Sequence, residues 1–315
     1  GNAEFLLDYM VEDPNTGYMV TGPSISPENS FLYQGNNLCA SMMPTCDRVL
    51  AYEIFNACIQ SAQILNIDKE FSDSLQQAIK KFPPIRLRAN GGVREWLEDY
   101  DEAHPNHRHT SHLLALYPYE QITLDKTPEL AAGARKTIED RLAAEGWEDT
   151  EWSRANMICF YARLKDTKQA YQSVLTLESI FTRENLLSIS PAGIAGAPYD
   201  IFILDGNTAG AAGIAEMLVQ GHEGYIEFLP CLPEQWNVGT YKGLCVKGGA
   251  EVSAAWNQSL INEATLKATA DNTFTVKVPQ GKNYTITLNN KRINPVINNG
   301  LITVSMKAKD ILKFK

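Results

Sequence analysis

The fold is decided in residues 208–228, TAGAAGIAEMLVQGHEGYIEF, where the spacing of the apolar residues changes. Up to about residue 220, apolar residues recur at the three- and four-residue spacing of a helix. From Tyr225 onward, apolar and polar residues alternate, as they do in a strand with one buried face. We therefore predict a change from helices to strands near residue 222.

Toward the N terminus, helical spacing recurs in long stretches that are separated by polar loops. The predicted helices cover roughly residues 68–82, 110–117, 127–145, 167–184 and 208–220, with further helical patterns in 3–10, 49–65 and 157–164. Toward the C terminus, alternation recurs in 225–228, 251–256 and 273–278, with Asn-Gly or Gly-Gly turn signals between such segments. Helices gathered first and strands gathered last predict an α+β architecture, with a helical domain at 1–222 and a β domain at 223–315.

The amino-acid composition excludes several classes of function. The 315 residues include 37 acidic and 28 basic side chains and no basic run, so a nucleic-acid partner is not predicted. The six cysteines form no CxxC pair, which is against a zinc knuckle or a disulfide scaffold. No apolar run has membrane-spanning length. The chain enters a helical pattern directly after Gly1 and Asn2, and we expect it to be a portion of a longer protein.

Residues 94–112, REWLEDYDEAHPNHRHTSH, contain four of the five histidines of the chain. Three explanations are open. A metal site is disfavoured because His109 and His112 are three residues apart and His107 falls on a different face of a helix. A sugar pocket would use imidazole, guanidinium and carboxylate groups to bind hydroxyls. A buried polar network that caps the next helix is the third.

Short strings in a shared order resemble glycoside hydrolase family 95, which contains 1,2-α-L-fucosidases and α-L-galactosidases. They are PSISPEN at 23–29, PTCD at 44–47, EWLED at 95–99, HRHTSHL at 107–113, LYP at 116–118, GW at 146–147, LDGN at 204–207, AEMLVQ at 215–220, LPCLP at 229–233 and KGL at 242–244. The resemblance extends from about residue 1 to about residue 256.

The resemblance implies a partial (α/α)6 toroid of paired helices, with its active site in a central funnel, followed by an antiparallel β-sandwich. It implies hydrolysis, with inversion, of terminal α-linked L-fucose or L-galactose in glycans, without a cofactor or a metal. It also implies that the first half of the toroid is not part of this chain, and that the protein is periplasmic or extracellular.

Inverting hydrolysis needs a general acid and a base-activated water on opposite faces of the sugar, with the two carboxyl groups about 6.5–9.5 Å apart. The resemblance gives the acid role to Glu28 and the base role to Asp205. Glu28 follows Pro27 in a loop, where we expect the funnel wall to raise its pKa by desolvation. Asp205 follows the apolar residues 201–204, which we expect to be buried, and precedes a helix. Plain N-capping is the alternative role for Asp205.

The remaining substrate-binding residues follow from the same resemblance. Arg108 and His109 match positions that contact bound fucose, and Trp96 and Trp152 either stack on sugar faces or belong to the core. The water-positioning His-x-Asn-x-Asn segment of the family has no match here. Asn207 is therefore assigned to the substrate site, and with Asn29 it is a candidate to hold the water.

Two departures from the family pattern affect function. Residues 199–203 and 208–210 replace the usual rim of the pocket, which leaves fucose and L-galactose as alternative substrates. Half a toroid would also expose apolar helix faces, from which we expect a homo-oligomer or poor solubility. A non-catalytic carbohydrate-binding or structural module derived from the same scaffold is the alternative function.

Overall fold

The computed structural model describes residues 1–315, apart from the side chain of Ala195. Its contacts divide the chain into two compact units, Gly1–Asp149 and Thr150–Lys315. Helices and antiparallel sheets are both present, which confirms the mixed α+β class. The predicted domain boundary at residues 222–223 stays a prediction.

The first unit combines helices with short antiparallel strands. Its helices are α1 Asn2–Tyr9, α2 Thr45–Leu65, α3 Lys69–Lys80 and α4 Pro128–Ala143. Its strands are β1 Val11–Glu12, β2 Met19–Val20, β3 Ser24–Ile25, β4 Phe31–Tyr33, β5 Asn36–Leu38, β6 Ala40–Ser41 and β7 Asp101–Glu102. Strand β4 pairs with both β5 and β7, β1 pairs with β2, and β3 pairs with β6.

Helix α2 shows how apolar spacing produces the core of this unit. Phe55 and Ile59 lie one helical turn apart and are buried together with Leu75 of α3. The helix ends at Asn66, whose φ of 53° is a left-handed conformation that asparagine tolerates. The burial of this face confirms the helix predicted in 49–65.

The helix predicted at 110–117 is a shorter 3₁₀ helix, Ser111–Ala115, in which Leu113 and Ala115 are buried. Pro118 explains the early end, because proline lacks an N–H and disfavours the α conformation in the preceding residue. The histidine segment therefore leads into one tight turn instead of a long helix.

The second unit begins with helices. They are α5 Glu151–Arg163, α6 Thr167–Ile180 and α7 Leu204–Leu218, and the short strands β8 Ile189–Ser190 and β9 Ile201–Phe202 pair between α6 and α7. Helix α7 approaches α5 closely because it has glycine at the contacts. A Cβ atom at Gly206 would lie 2.8 Å from the Cβ atom of Glu151, and one at Gly213 would lie 2.6 Å from Cγ2 of Ile158.

Strands fill the rest of the second unit. They are β10 Val219–Gln220, β11 Glu227–Phe228, β12 Val238–Val246, β13 Ala250–Asn257, β14 Leu260–Ala268, β15 Asn272–Lys277, β16 Ile286–Leu288, β17 Lys291–Arg292, β18 Leu301–Met306 and β19 Ile311–Phe314. One antiparallel sheet has the order β12-β13-β14-β19-β16-β17, and β15 pairs with β18.

The alternation predicted in 251–256 is confirmed in β13. Val252, Ala254 and Trp256 are buried, and the residues between them are partly exposed. Residues from both sheets, including Val252 of β13 and Val276 of β15, belong to one hydrophobic core. Among the described residues, no helix is both long enough and apolar enough to cross a membrane.

Candidate active site

The loop that carries Glu28 is fixed on both sides of this residue. Ser26 Oγ donates to Glu95 Oε1 at 2.7 Å, and the Asn29 side-chain amide donates to Glu95 Oε2 at 3.2 Å. The Ser111 hydroxyl, in the 3₁₀ helix, donates to the carbonyl of Pro27. These anchors place the Glu28 side chain against the histidine segment.

Glu28 meets the two residues that the resemblance assigned to sugar binding. Arg108 Nη2 donates to Glu28 Oε2 at 2.5 Å, and His109 Nε2 lies 3.7 Å from the same oxygen. The Glu28 side chain is 59% exposed, so the expected desolvation by a funnel wall is absent in this unit.

Arg108 is itself held by Glu148, a residue that the sequence did not single out. Arg108 donates to Glu148 Oε2 from Nη1 at 3.0 Å and from its main-chain N–H at 3.2 Å. Partial burial opposes ionisation of Glu148, but these bonds outweigh it and lower its pKa. Glu148 follows Gly146-Trp147 directly, so the family resemblance pointed to its neighbourhood only.

The histidines divide between the site and the interior. His109 faces Glu28, while His107 is buried and its Nδ1 accepts a hydrogen bond from the His109 main-chain N–H at 3.0 Å. Burial, reinforced by nearby positive groups, lowers the pKa of His107 to about 4 and that of His112 to about 3, and it also lowers the pKa of His109. His104 is exposed. His107 and His112 therefore fit the buried-network explanation, and sugar binding by His109 stays a prediction.

Among the described residues, no group of three or more His, Cys, Asp or Glu side chains is arranged to hold a metal ion.

A buried charge network lies beneath the Glu28 loop. Arg141 Nη2 donates to Glu102 Oε2 at 2.6 Å and lies 3.8 Å from Glu95 Oε2. Arg88 Nη1 donates to the other oxygen of Glu102 at 3.2 Å. Burial raises the pKa of Glu95 to about 7, against the opposing effect of Arg141. This network was not predicted, because its members are far apart in sequence.

Trp96 does not face the site. Its indole is 2% exposed and packs against Phe31, with ring centroids 5.2 Å apart. A ring without an exposed face cannot stack on a sugar, so the stacking role assigned to Trp96 is wrong and the core role describes it. Trp152 is half-buried in α5, and its stacking role stays a prediction.

Asp205 lies in the first turn of α7, exposed to solvent, two residues after the N-cap Ile203. It is therefore not the N-cap itself. The expectation that the preceding apolar run is buried is wrong, since Ile201, Phe202 and Leu204 are exposed. The apolar pattern identified the segment, but the two-stranded pairing of β8 with β9 leaves all three side chains exposed.

The side chains of the two asparagines proposed to hold a water form hydrogen bonds within the protein. The Asn29 amide donates to both Glu95 and Glu102, at 3.2 and 3.1 Å, and is buried. The Asn207 amide donates to the carbonyl of Leu186 at 2.7 Å, and its Oδ1 accepts from the main-chain N–H and the hydroxyl of Ser188, both at 2.9 Å. Asn29 is therefore a loop anchor. Asn207 positions the 186–188 segment, and its substrate-binding role stays a prediction.

A second carboxylate near Asp205 was not predicted. Glu151, the first residue of α5, is 2% exposed, and its Oε2 has no hydrogen-bond partner among the described residues. Burial raises the pKa of Glu151, and Asp205 adds to this effect, while the Ser190 side chain opposes it. Asp205 therefore has an acidic neighbour inside its own unit.

We expect His107 to make the stability of the protein sensitive to acid. Its folded pKa of about 4 lies below the ordinary value of 6.5, so the unfolded chain binds the proton first as the pH falls. The stability contributed by neutral His107 is complete above about pH 6.5 and is lost as the pH falls through about 4. With partial burial taken into account, the loss is on the order of 1–2 kcal/mol.

Urea unfolding of the wild type and of His107→Asn between pH 7 and pH 4 measures this effect. The variant should lose less stability over that range, whereas His104→Asn, at an exposed position, should keep the wild-type slope. Equal slopes for His107→Asn and the wild type would contradict the assignment.

A loop carboxylate bound by arginine and histidine lies in the first unit, and a carboxylate in the first turn of a helix lies in the second unit. The chain belongs to glycosyl hydrolase family 95. The model of the family 95 catalytic domain matches residues 1–218, and the model of the family 95 C-terminal domain matches residues 220–313.

Two curated relatives support this assignment. Alpha-L-fucosidase 2 of Arabidopsis thaliana is 32% identical over 268 residues, which are 84% of this chain and 31% of that protein. Probable alpha-fucosidase A of Aspergillus niger is 27% identical over 285 residues, 82% of this chain and 34% of that protein. The chain thus spans about a third of the length of these relatives.

The fold also has a solved counterpart. A structure described as "Putative kojibiose phosphorylase from human microbiome" aligns with a TM-score of 0.52 and 9% identity, over 98% of this chain and 45% of that chain. At this identity the likeness concerns the fold alone.

Proposed function

We propose that this chain carries part of the active site of an inverting α-L-fucosidase that removes terminal α-linked L-fucose or L-galactose from glycans. The observation that carries the proposal is the contact of Glu28 with Arg108 and His109, in a chain that belongs to family 95. Glu28 is the general acid and Asp205 the general base.

In this mechanism Glu28 protonates the oxygen of the leaving group, while Asp205 deprotonates a water on the opposite face of the sugar. Arg108 stabilises the ionised Glu28 that remains after proton transfer. Before transfer, the Arg108 guanidinium must release Glu28, and Glu148 is positioned to hold Arg108 at that stage. Glu28 and Asp205 belong to different units, and a separation of about 6.5–9.5 Å between their carboxyl groups is the geometry that inversion requires.

The binding of sugar hydroxyls falls to His109 and Arg108, with Trp152 as an aromatic platform and Asn207 beside the base. Neutral His109 offers one donor and one acceptor, which suits a hydroxyl group. Fucose and L-galactose differ by one hydroxyl, and the exposed Tyr199 and Phe202 are the rim residues placed to discriminate between them.

We also propose the architecture that accompanies this function: a partial (α/α)6 toroid over residues 1–222 and an antiparallel β-sandwich over 223–315, within a longer protein. The catalytic-domain match ends at residue 218 and the C-terminal-domain match begins at residue 220, which supports this boundary. We include a periplasmic or extracellular location in the proposal, because glycan substrates occur in those compartments.

The alternative is a non-catalytic carbohydrate-binding module, and one observation favours it. The Asn29 and Asn207 amides, which could have replaced the water-holding residues, are bound to the protein itself. An exposed apolar surface that includes Phe5 and Leu50 supports the further proposal of a homo-oligomer.

The test compares this chain with the longest natural gene product that contains it, using 2'-fucosyllactose. We expect the longer protein to release β-L-fucose as its first product in proton NMR, because inversion changes the anomeric configuration. The chain alone should be slower by on the order of 10²-fold or more, since it lacks groups that hold the water in line. Comparable turnover would contradict the second expectation, and α-L-fucose as the first product would contradict inversion.

A further inference from the structure

A cavity in the first unit lies next to β4, the strand that follows the Glu28 loop. It has a volume of about 560 Å³ and is enclosed by β1, the hairpin of β4 and β5, and the segment around residues 97–100. Cavities of roughly 300–1,000 Å³ accommodate small ligands. Its size therefore suits one or a few sugar rings.

One wall of this cavity is aromatic. Tyr100 stacks on Phe31, with centroids 4.3 Å apart and an interplanar angle of 11°, and Tyr33 meets Tyr100 edge-on at 5.9 Å. Tyr33 is 46% exposed, so its ring is available to a ligand. Rings of this kind offer an apolar face together with a polar hydroxyl. That combination suits a pyranose, which has an apolar C–H face and hydroxyl edges.

Other side chains that line the cavity are polar or acidic. They include the carboxylates of Glu12, Asp13 and Glu98 and the side chain of Asn15. Glu98 lies close enough to Tyr100 to contribute, after burial, to a raised pKa of that phenol. Lys81 pairs with Glu12, but the lining itself, all of it described, includes no lysine or arginine, and the carboxylates of Asp13 and Glu98 add negative charge. An anionic ligand would therefore meet net repulsion. A neutral ligand rich in hydroxyl groups meets none.

The chain fixes how far this cavity lies from the site. Phe31, in its wall, is three residues from Glu28, which limits the distance between their Cα atoms to about 11 Å. A general acid protonates the leaving-group oxygen, so the sugars of the leaving group lie on the acid's side of the cleaved bond.

We propose that this cavity is a binding site for a neutral pyranose in the leaving-group part of an oligosaccharide substrate. Tyr33 and Tyr100 provide the aromatic wall, and Glu98 and Asn15 bind hydroxyls. The assignment to the leaving-group side rests on the function proposed above. The affinity for a neutral sugar rests on the cavity alone.

The test uses a fucose-free neutral oligosaccharide, lacto-N-tetraose, titrated into this chain and followed by NMR. We expect saturable shifts in the residues of the cavity and weaker binding, by about 5-fold or more, in Tyr33→Ala. Leu32→Ala is the matched control, because Leu32 is 48% exposed on the same strand and does not line the cavity. Glu98→Gln, at an exposed position, serves as a second variant and should also weaken binding.

Digalacturonic acid serves as the anionic comparison. Its dissociation constant should be at least about 5-fold higher than that of lacto-N-tetraose. No shifts with lacto-N-tetraose, equal binding of the acid, or equal losses in Leu32→Ala and Tyr33→Ala would overturn the proposal. Because binding is measured without turnover, a chain that binds lacto-N-tetraose, together with a longest natural gene product that hydrolyses no fucoside, would refute the proposed catalysis and leave the sugar site intact.

Discussion

Glu28→Gln should lower kcat for 2'-fucosyllactose by on the order of 10³-fold in the longest natural gene product that contains this chain. The amide keeps the shape of the side chain but has no proton to give to the leaving lactose. With 4-nitrophenyl α-L-fucoside the loss should be far smaller, because nitrophenolate leaves without protonation. The dependence on the leaving group separates an acid from a residue that only binds sugar.

Glu263→Gln is the matched control for this substitution. Glu263 is another solvent-accessible glutamate paired with a basic residue, since Lys315 Nζ lies 2.9 Å from its Oε2 and its side chain is 41% exposed. It lies outside the Glu28 loop and should leave kcat for both substrates within about 2-fold, because an exposed ion pair contributes little. Equal losses on the two substrates in Glu28→Gln would show that Glu28 is not the acid.

Arg141→Leu should lower the free energy of unfolding by about 3–5 kcal/mol, because it removes the buried cation that Glu95 and Glu102 share. Since those two glutamates hold Asn29, the Glu28 loop should loosen as well. Urea unfolding at pH 7.5 gives the change in stability directly.

The control for Arg141→Leu is Lys136→Leu on the same helix. Lys136 forms an exposed i,i+4 pair with Asp140, and a pair of this kind contributes only about 0.3–0.5 kcal/mol. A decrease in the free energy of unfolding of less than about 1 kcal/mol in Arg141→Leu would contradict this prediction. It would show that the carboxylates of Glu95 and Glu102 do not depend on Arg141 for their stabilisation.

The sequence predicted the helices and strands whose apolar residues recur at regular spacing. Apolar spacing located α2 through Phe55 and Ile59, and alternation located β13 through Val252 and Trp256. The length of the turn at residue 111 was overestimated, because the influence of Pro118 on the preceding backbone outweighs the apolar pattern.

The site was predictable only in part. The family resemblance placed Arg108, His109 and Glu28 in one predicted site. Arg108 and Glu28 are 80 residues apart, and no spacing rule predicts a contact over that distance. Glu148 and Glu151 were missed because charged residues that pair across a fold have no periodic signal. Trp96 looked identical to a sugar-stacking tryptophan until its burial was known.

The glycines of α7 limit how the region around Asp205 can be diversified by directed evolution. A Cβ atom added at Gly206 would lie 2.7 Å from Cβ of Ser188, and one added at Gly213 would lie 2.8 Å from Cβ of Ile158, so neither position has room for a methyl group. Overpacking at such contacts costs about 1–3 kcal/mol each. A combinatorial library aimed at substrate preference would lose most of its members to misfolding if it randomised these positions. Thr208, exposed on the same helix, can be varied freely.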